Sequence, residues 1–158
     1  MTTRPYIVGN WKMHGTRAML AEARAIDRAA ERLLKVEVAL APPFTLIHAT
    51  RKEANLIGIG AQDVHAADGG AHTGDISAAM AKDAGAGFTI VGHSERRADH
   101  KETNALVKEK AEAAIAAGMN VIVCVGETEQ ERDSGKAEAV VSRQLSGSLP
   151  QGEGVAEK

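Results

Sequence analysis

Two short strings carry the residues most suited to chemistry. Asn10 and Lys12 stand in Gly9-Asn10-Trp11-Lys12-Met13, and His93 and Glu95 stand in Val91-Gly92-His93-Ser94-Glu95-Arg96-Arg97. A lysine supplies a compact positive charge, and a neutral histidine supplies a hydrogen-bond donor or a proton shuttle. Together they suit the stabilisation of an oxyanion that develops on a carbonyl. The strings lie far apart in the chain, so this chemistry needs a fold that brings them together. Each string follows a short apolar run. In parallel α/β folds the C-terminal ends of the strands share one face, and sites form there. Asn10, Lys12, His93 and Glu95 are therefore expected to converge.

The elements that must position them are legible in the hydropathy pattern. Apolar, β-rich runs recur at Tyr6–Val8, Val36–Leu40, Leu56–Ile59, Phe88–Val91 and Val121–Val125. They are continuous rather than alternating, as strands covered on both faces are. Helical patterns lie between them. Met19, Ala23, Ile26, Ala30 and Leu33 form one apolar stripe, and Val107, Ala111, Ala114 and Ile115 another. Gly118 is placed to end the second helix in a left-handed cap. Thr128 and Glu131 have capping-box spacing, and Ala137, Val140, Val141 and Gln144 predict a last helix. Residues 62–76 form a long polar loop with Gly69, Gly70 and Gly74, a length that usually marks function. The resulting βα alternation fits an open flavodoxin-like sheet. It equally fits about the first five βα units of a (β/α)8 barrel, a fold of roughly 250 residues. Periodicity does not choose between them.

Composition narrows the classes. The 158 residues are 44% hydrophobic and 25% charged, the balance of an ordinary soluble domain, and the net charge is −2. This excludes a basic footprint for nucleic acid and a polybasic membrane patch. No apolar run approaches the length of a membrane helix, and the N-terminus lacks the apolar core of a signal peptide. The single cysteine, Cys124, cannot build a disulfide framework. A cytoplasmic location is expected.

The strings at the strand ends resemble those of the triosephosphate isomerase family. GNWKM and VGHSERR match its first- and fourth-strand motifs, and Ala61-Gln62-Asp63-Val64 matches its third strand end. Thr73-Gly74-Asp75-Ile76-Ser77 resembles its third-loop motif, with aspartate where glutamate is usual. Cys124-Val125-Gly126-Glu127 matches its fifth strand end. The order and spacing agree over essentially the whole chain. The resemblance implies a partial TIM barrel with parallel strands and helices outside. It implies an intramolecular aldose–ketose isomerase of glycolysis and gluconeogenesis, interconverting dihydroxyacetone phosphate and glyceraldehyde 3-phosphate through an enediolate without a cofactor. Asn10 would position substrate, Lys12 would bind substrate and enediolate, and His93 would act as neutral electrophile. Glu95 would pair with Lys12. Thr73 would lie on a loop that enters the neighbouring subunit of a homodimer. Arg96 would serve structure and the interface, and Cys124 would be a buried small side chain at a strand end.

Other readings complete the expectation. His65 and His72, with Asp63 and Asp68, lack tight ligand spacing, so no metal is expected. The family's catalytic glutamate, in a glutamate-proline-valine-tryptophan motif after a sixth strand, has no match here, and neither do its late glycine-rich phosphate loops. The chain reads as a single incomplete barrel domain over 1–158, with 146–158 a connector toward a sixth strand. It is expected to be inactive alone, with unpaired sheet edges and a wet inner face. The alternative is a non-catalytic βα scaffold or degenerate paralogue. The complete Asn10, Lys12 and His93 set favours the isomerase.

Overall fold

The structure, a computed structural model, describes residues 4–152. The last part of the expected connector, 153–158, lies outside them. Five strands, β1 (Tyr6–Asn10), β2 (Glu37–Ala41), β3 (Gly58–Ala61), β4 (Phe88–Val91) and β5 (Asn120–Val123), form one sheet in the order β1-β2-β3-β4-β5. Every pairing is parallel, with Val8 beside Ala39, Leu40 beside Ile59, Gly60 beside Phe88 and Ile90 beside Ile122. Each strand lies next to its predecessor. Right-handed crossovers that all step the same way leave their helices on one face. A doubly wound sheet reverses at a switch point and covers both faces. The strand order therefore excludes the flavodoxin-like alternative and gives a curled part of a (β/α)8 barrel.

Seven helices connect and flank the strands among the described residues: α1 (Leu20–Ala30), α2 (Ile47–Glu53), α3 (Ala78–Asp83), α4 (Ser94–Asp99), α5 (Asn104–Ala116), α6 (Glu129–Asp133) and α7 (Ala137–Ser148). Their boundaries follow local chemistry. Thr103 caps α5 through the Leu106 N–H, a contact worth about 1 kcal/mol, and Gly118 follows α5 with φ +75°. Thr128 and Glu131 complete the capping box at α6. α7 runs to Ser148, so the expected connector begins three residues too early. Ser148 is fully buried, with its hydroxyl 3.0 Å from Arg97, and a connector residue would be exposed.

Two apolar clusters cover the two faces of the sheet. On the helix side, Leu40, Ile59 and Val91 pack with Ala23, Ile47, Val107, Ala111 and Ala114. On the concave side, Ala39, Ala41, Phe88 and Ile90 pack with half-buried Val8, Ile122 and Cys124. This inner face is drier than expected: Phe88 is 3% exposed and Ile90 4%. The physical reason is Gly60. Its missing Cβ leaves room for the Phe88 ring, since a Cβ there would sit 2.3 Å from the ring. The ring then meets Tyr6 edge-on, with centroids 6.1 Å apart, and closes the floor of the curl. The exposed margin lies on the other face, where Ile7 of β1, beside Val38 on the helix side, is 56% exposed. Small residues also explain why strands outrun their apolar runs. β1 reaches Gly9-Asn10 and β3 ends in Gly60-Ala61, which barely register in a hydropathy pattern.

Candidate active site at the strand ends

The backbone after β1 turns sharply. Lys12 has φ +53°, a left-handed conformation uncommon for a side chain with a Cβ. Local hydrogen bonds hold it there. The Lys12 N–H donates to Asn10 Oδ1 at 2.9 Å, and Gln62 Nε2 donates to the Lys12 and Ala41 carbonyls, both at 2.8 Å. The turn aims the Lys12 ammonium across the mouth of the sheet to Glu95 Oε1, 2.7 Å away. Both side chains are half exposed. The hydrogen bond from Lys12 outweighs desolvation and, helped by the lysine's charge, holds the Glu95 carboxyl below its ordinary range.

His93 follows β4 and caps α4. Its Nδ1 accepts the Glu95 N–H at 3.2 Å. A ring nitrogen that accepts cannot also carry the proton, so neutral His93 presents Nε2–H. The other Glu95 oxygen lies 3.5 Å from His93 Nδ1. With Nδ1 already accepting, that oxygen is a neighbour of the ring rather than its partner, and it is the Glu95 backbone that ties the histidine to the lysine's ion-pair partner. An open groove of about 500 Å³ beside them is lined by Lys12, His14, Glu95, Arg96, Asp99 and His100. A groove of similar size near the strand N-termini is lined by Tyr6, Leu33, Leu34, Val36 and Leu56, with Arg4 and Glu37 as its ionic partners.

Behind His93 lies a network that the sequence reading missed. Lys110 Nζ is 2.8 Å from Asp63 and also binds Glu102. Arg96 is 2.9 Å from Asp63 and 2.7 Å from Glu102. Lys110, Glu102 and Asp63 are all buried. Burial pushes the Asp63 carboxyl up, and Lys110 and Arg96 only partly offset it. Glu102 is also desolvated, but its hydrogen bonds from Lys110 and Arg96 prevail and hold it down. A signal was present: Lys110 shares a helix face with Val107, Ala111 and Ala114. Arg97 was also missed as a strut. It donates to the carbonyls of Gly92 at 2.8 Å and Cys124 at 3.2 Å and to Asn104 Oδ1 at 2.7 Å, tying the ends of β4 and β5 together.

The remaining residues separate. Thr73 is exposed on the long loop, away from this cluster of contacts. Cys124 is half-buried against the inner-face cluster, and burial pushes its thiol up, which suits packing rather than nucleophilic attack. In the loop, His65 and His72 stack and Asp75 lies beside them.

A singly wound parallel sheet with an ammonium, an imidazole and a carboxylate at its C-terminal edge defines part of a (β/α)8-barrel protein with a polar strand-end site. The comparisons give the family. The triosephosphate isomerase family model matches residues 5–157, and the chain belongs to that family. It is 55% identical over 152 residues to the triosephosphate isomerase of Afipia carboxidovorans, covering 94% of this chain and 61% of the relative. It is 54% identical over 154 residues to that of Rhodopseudomonas palustris, with the same coverage of 94% and 61%. The crystal structure of triosephosphate isomerase from Bartonella henselae superposes with a TM-score of 0.92 at 46% identity, over 95% of this chain and 63% of that one. The chain thus spans about three-fifths of the length of these relatives. No helix among the described residues is long and apolar enough to cross a membrane.

Proposed function

We propose that these residues form the electrophilic half of a triosephosphate isomerase site, taking dihydroxyacetone phosphate and glyceraldehyde 3-phosphate as substrates in glycolysis and gluconeogenesis. The carrying observation is that Lys12 Nζ reaches the Glu95 carboxylate at 2.7 Å while the Glu95 N–H donates to His93 Nδ1, so the first turn of α4 gathers the ammonium and the imidazole at one strand-end mouth. In this reading Lys12 and His93 Nε2–H face the substrate carbonyl. Negative charge that collects on oxygen as a carbon-bound proton leaves is met by the ammonium and shared with the imidazole N–H. Asn10 acts partly through Lys12, by accepting its backbone N–H. Arg96 and Cys124 support the site from behind. Thr73 serves a homodimer contact through the long loop, and the protein works in the cytoplasm without a cofactor. The proton must go to a base. No glutamate in the 158 residues matches the expected base motif, so we propose that this polypeptide alone does not turn over substrate.

The test joins this chain to the C-terminal region of the Afipia carboxidovorans relative that it does not match. The joined protein should isomerise triose phosphates in a coupled assay, and Lys12→Met should lower kcat/KM by about 10²- to 10³-fold. Near-normal kcat/KM in a folded Lys12→Met variant would remove Lys12 from the site. Turnover by the 158-residue chain above its own Lys12→Met blank would overturn the proposed inactivity.

A further inference from the structure

Both peptide planes that flank His93 end on Arg97. The Arg97 N–H donates to the His93 carbonyl at 3.0 Å, in the first turn of α4. Its side chain turns back, so that Nε donates to the Gly92 carbonyl at 2.8 Å. These two bonds set the direction of the His93 Cα–Cβ bond. The Glu95 N–H on Nδ1 then sets the rotation of the ring. One direction is left for Nε2–H.

Other parts of the chain are built around the guanidinium. Gly92, at φ +68°, leaves it a path, since a Cβ there would stand 2.9 Å from Arg97 Nη2 and 2.8 Å from Val107. Nη1 donates to Asn104 Oδ1 at 2.7 Å, at the start of α5. Nη2 donates to the Ser148 hydroxyl at 3.0 Å and to the Cys124 carbonyl at 3.2 Å. Ser148 is fully buried near the end of α7, and Gly147 beside it lets α7 close on α5, where a Cβ would stand 3.0 Å from Asn104. Four acceptors, from the ends of β4 and β5 and from α5 and α7, thus surround one planar fork. All four are neutral. Glu102, the carboxylate whose charge reaches Arg97, is already held by Lys110 and Arg96. The surroundings therefore use the rigid geometry of the guanidinium rather than an ion pair.

We propose that Arg97 is a positioning residue of this site, acting through the two peptides of His93 to aim Nε2–H at the substrate carbonyl. The inference deepens the isomerase reading and rests on it for the identity of that carbonyl. The hydrogen bond from Nε2–H strengthens as negative charge collects on oxygen, so a misdirected N–H slows turnover more than it weakens substrate binding. Lysine cannot replace the arginine. A single ammonium keeps a positive charge but has no fork to reach the Gly92 and Cys124 carbonyls and the anchors on α5 and α7 at once.

Two readouts of Arg97→Lys test this. The first needs no substrate: imidazole 15N nuclear magnetic resonance of the 158-residue chain, with the His93 signals assigned through His93→Gln, at a pH where imidazole is neutral. The parent should show His93 as one tautomer, protonated on Nε2, and Arg97→Lys should show a mixture of both. The second uses the chain joined to the relative's C-terminal region. There Arg97→Lys should lower kcat by about 10²-fold with KM nearly unchanged. Circular dichroism checks that the variant is folded. Should Arg97→Lys fail to fold, Asn104→Ala carries the test. It removes one anchor only, and should mix the tautomers and lower kcat to a smaller extent. A folded variant in which His93 keeps a single tautomer overturns the proposal, and so does a joined variant with the parental kcat. A joined parent without activity would sink the isomerase reading instead, and the tautomer readout would still decide whether Arg97 positions His93.

Discussion

His93 stands between two ion-pair clusters of opposite character. In front, Lys12 and Glu95 meet across open solvent with about half of each side chain exposed. Behind, Lys110 and Glu102 are 5% and 2% exposed, and Asp63 and Arg96 complete the set. Both clusters hang on α4, one residue apart, through Glu95 and Arg96. The wet pair is screened and exchanges partners cheaply, so its ammonium remains available to a ligand. In the dry cluster only Arg96 reaches solvent, so its buried partners fix α4, and with it His93, against β3 and α5. The difference separates groups that do chemistry from groups that hold the chemistry in place.

The same substitution on both sides breaks the comparison most directly. Lys110→Met leaves Asp63 and Glu102 buried with Arg96 as their only cation, and should cost about 3–5 kcal/mol. Urea unfolding followed by circular dichroism measures it. A loss under 1 kcal/mol would mean that water already reaches the cluster. Adding Glu102→Leu to Lys110→Met should recover much of the loss, because Asp63 and Arg96 then form a matched pair.

Acid sharpens the contrast, with opposite signs inside one cluster. Asp63 is raised in the fold, so the folded state takes up its proton first, and its contribution to stability grows as pH falls toward about 3.9. Glu102 is lowered, so its contribution is complete above about pH 4.3 and is lost as pH falls further, through its folded value. The cluster should therefore be most stabilising near pH 4. Urea midpoints from pH 7 to 3 should lose their rise in Asp63→Asn and their fall in Glu102→Gln. Parallel profiles in both variants would show that neither carboxyl controls acid stability.

How much of this was legible follows from where each signal lies. The five apolar runs and the stripe Val107, Ala111, Ala114 are local, and they became strands and a buried helix face. The strings around Lys12 and His93 also named the mouth, because strand ends gather by topology. The dry cluster was not legible. Lys110 and Asp63 are 47 residues apart, and only the assembled sheet and helices select them for each other. The inner floor was hidden for a different reason: Gly60 is informative only beside Phe88, its neighbour on the next strand. The approach of Asp75 to the loop histidines was not legible, because turn geometry rather than spacing brings it to them.

The smallest expected effect tests the wet side of the comparison. Lys12→Met removes the 2.7 Å contact to Glu95, yet it should produce no resolvable shift in the urea midpoint at neutral pH. Three features argue for this. Glu95 keeps solvent as a substitute for the ammonium. The methylene stem of Lys12 has a near-equivalent in Met, so the turn loses no packing. The backbone of the turn is held by Asn10 and Gln62 rather than by the charge. Raising the salt should leave the small difference between parent and variant unchanged or smaller, since exposed pairs are the first to be screened. If Lys12→Met instead approached the loss caused by Lys110→Met, the left-handed turn at Lys12 would depend on the ion pair. The front cluster would then be part of the scaffold as well as of the site.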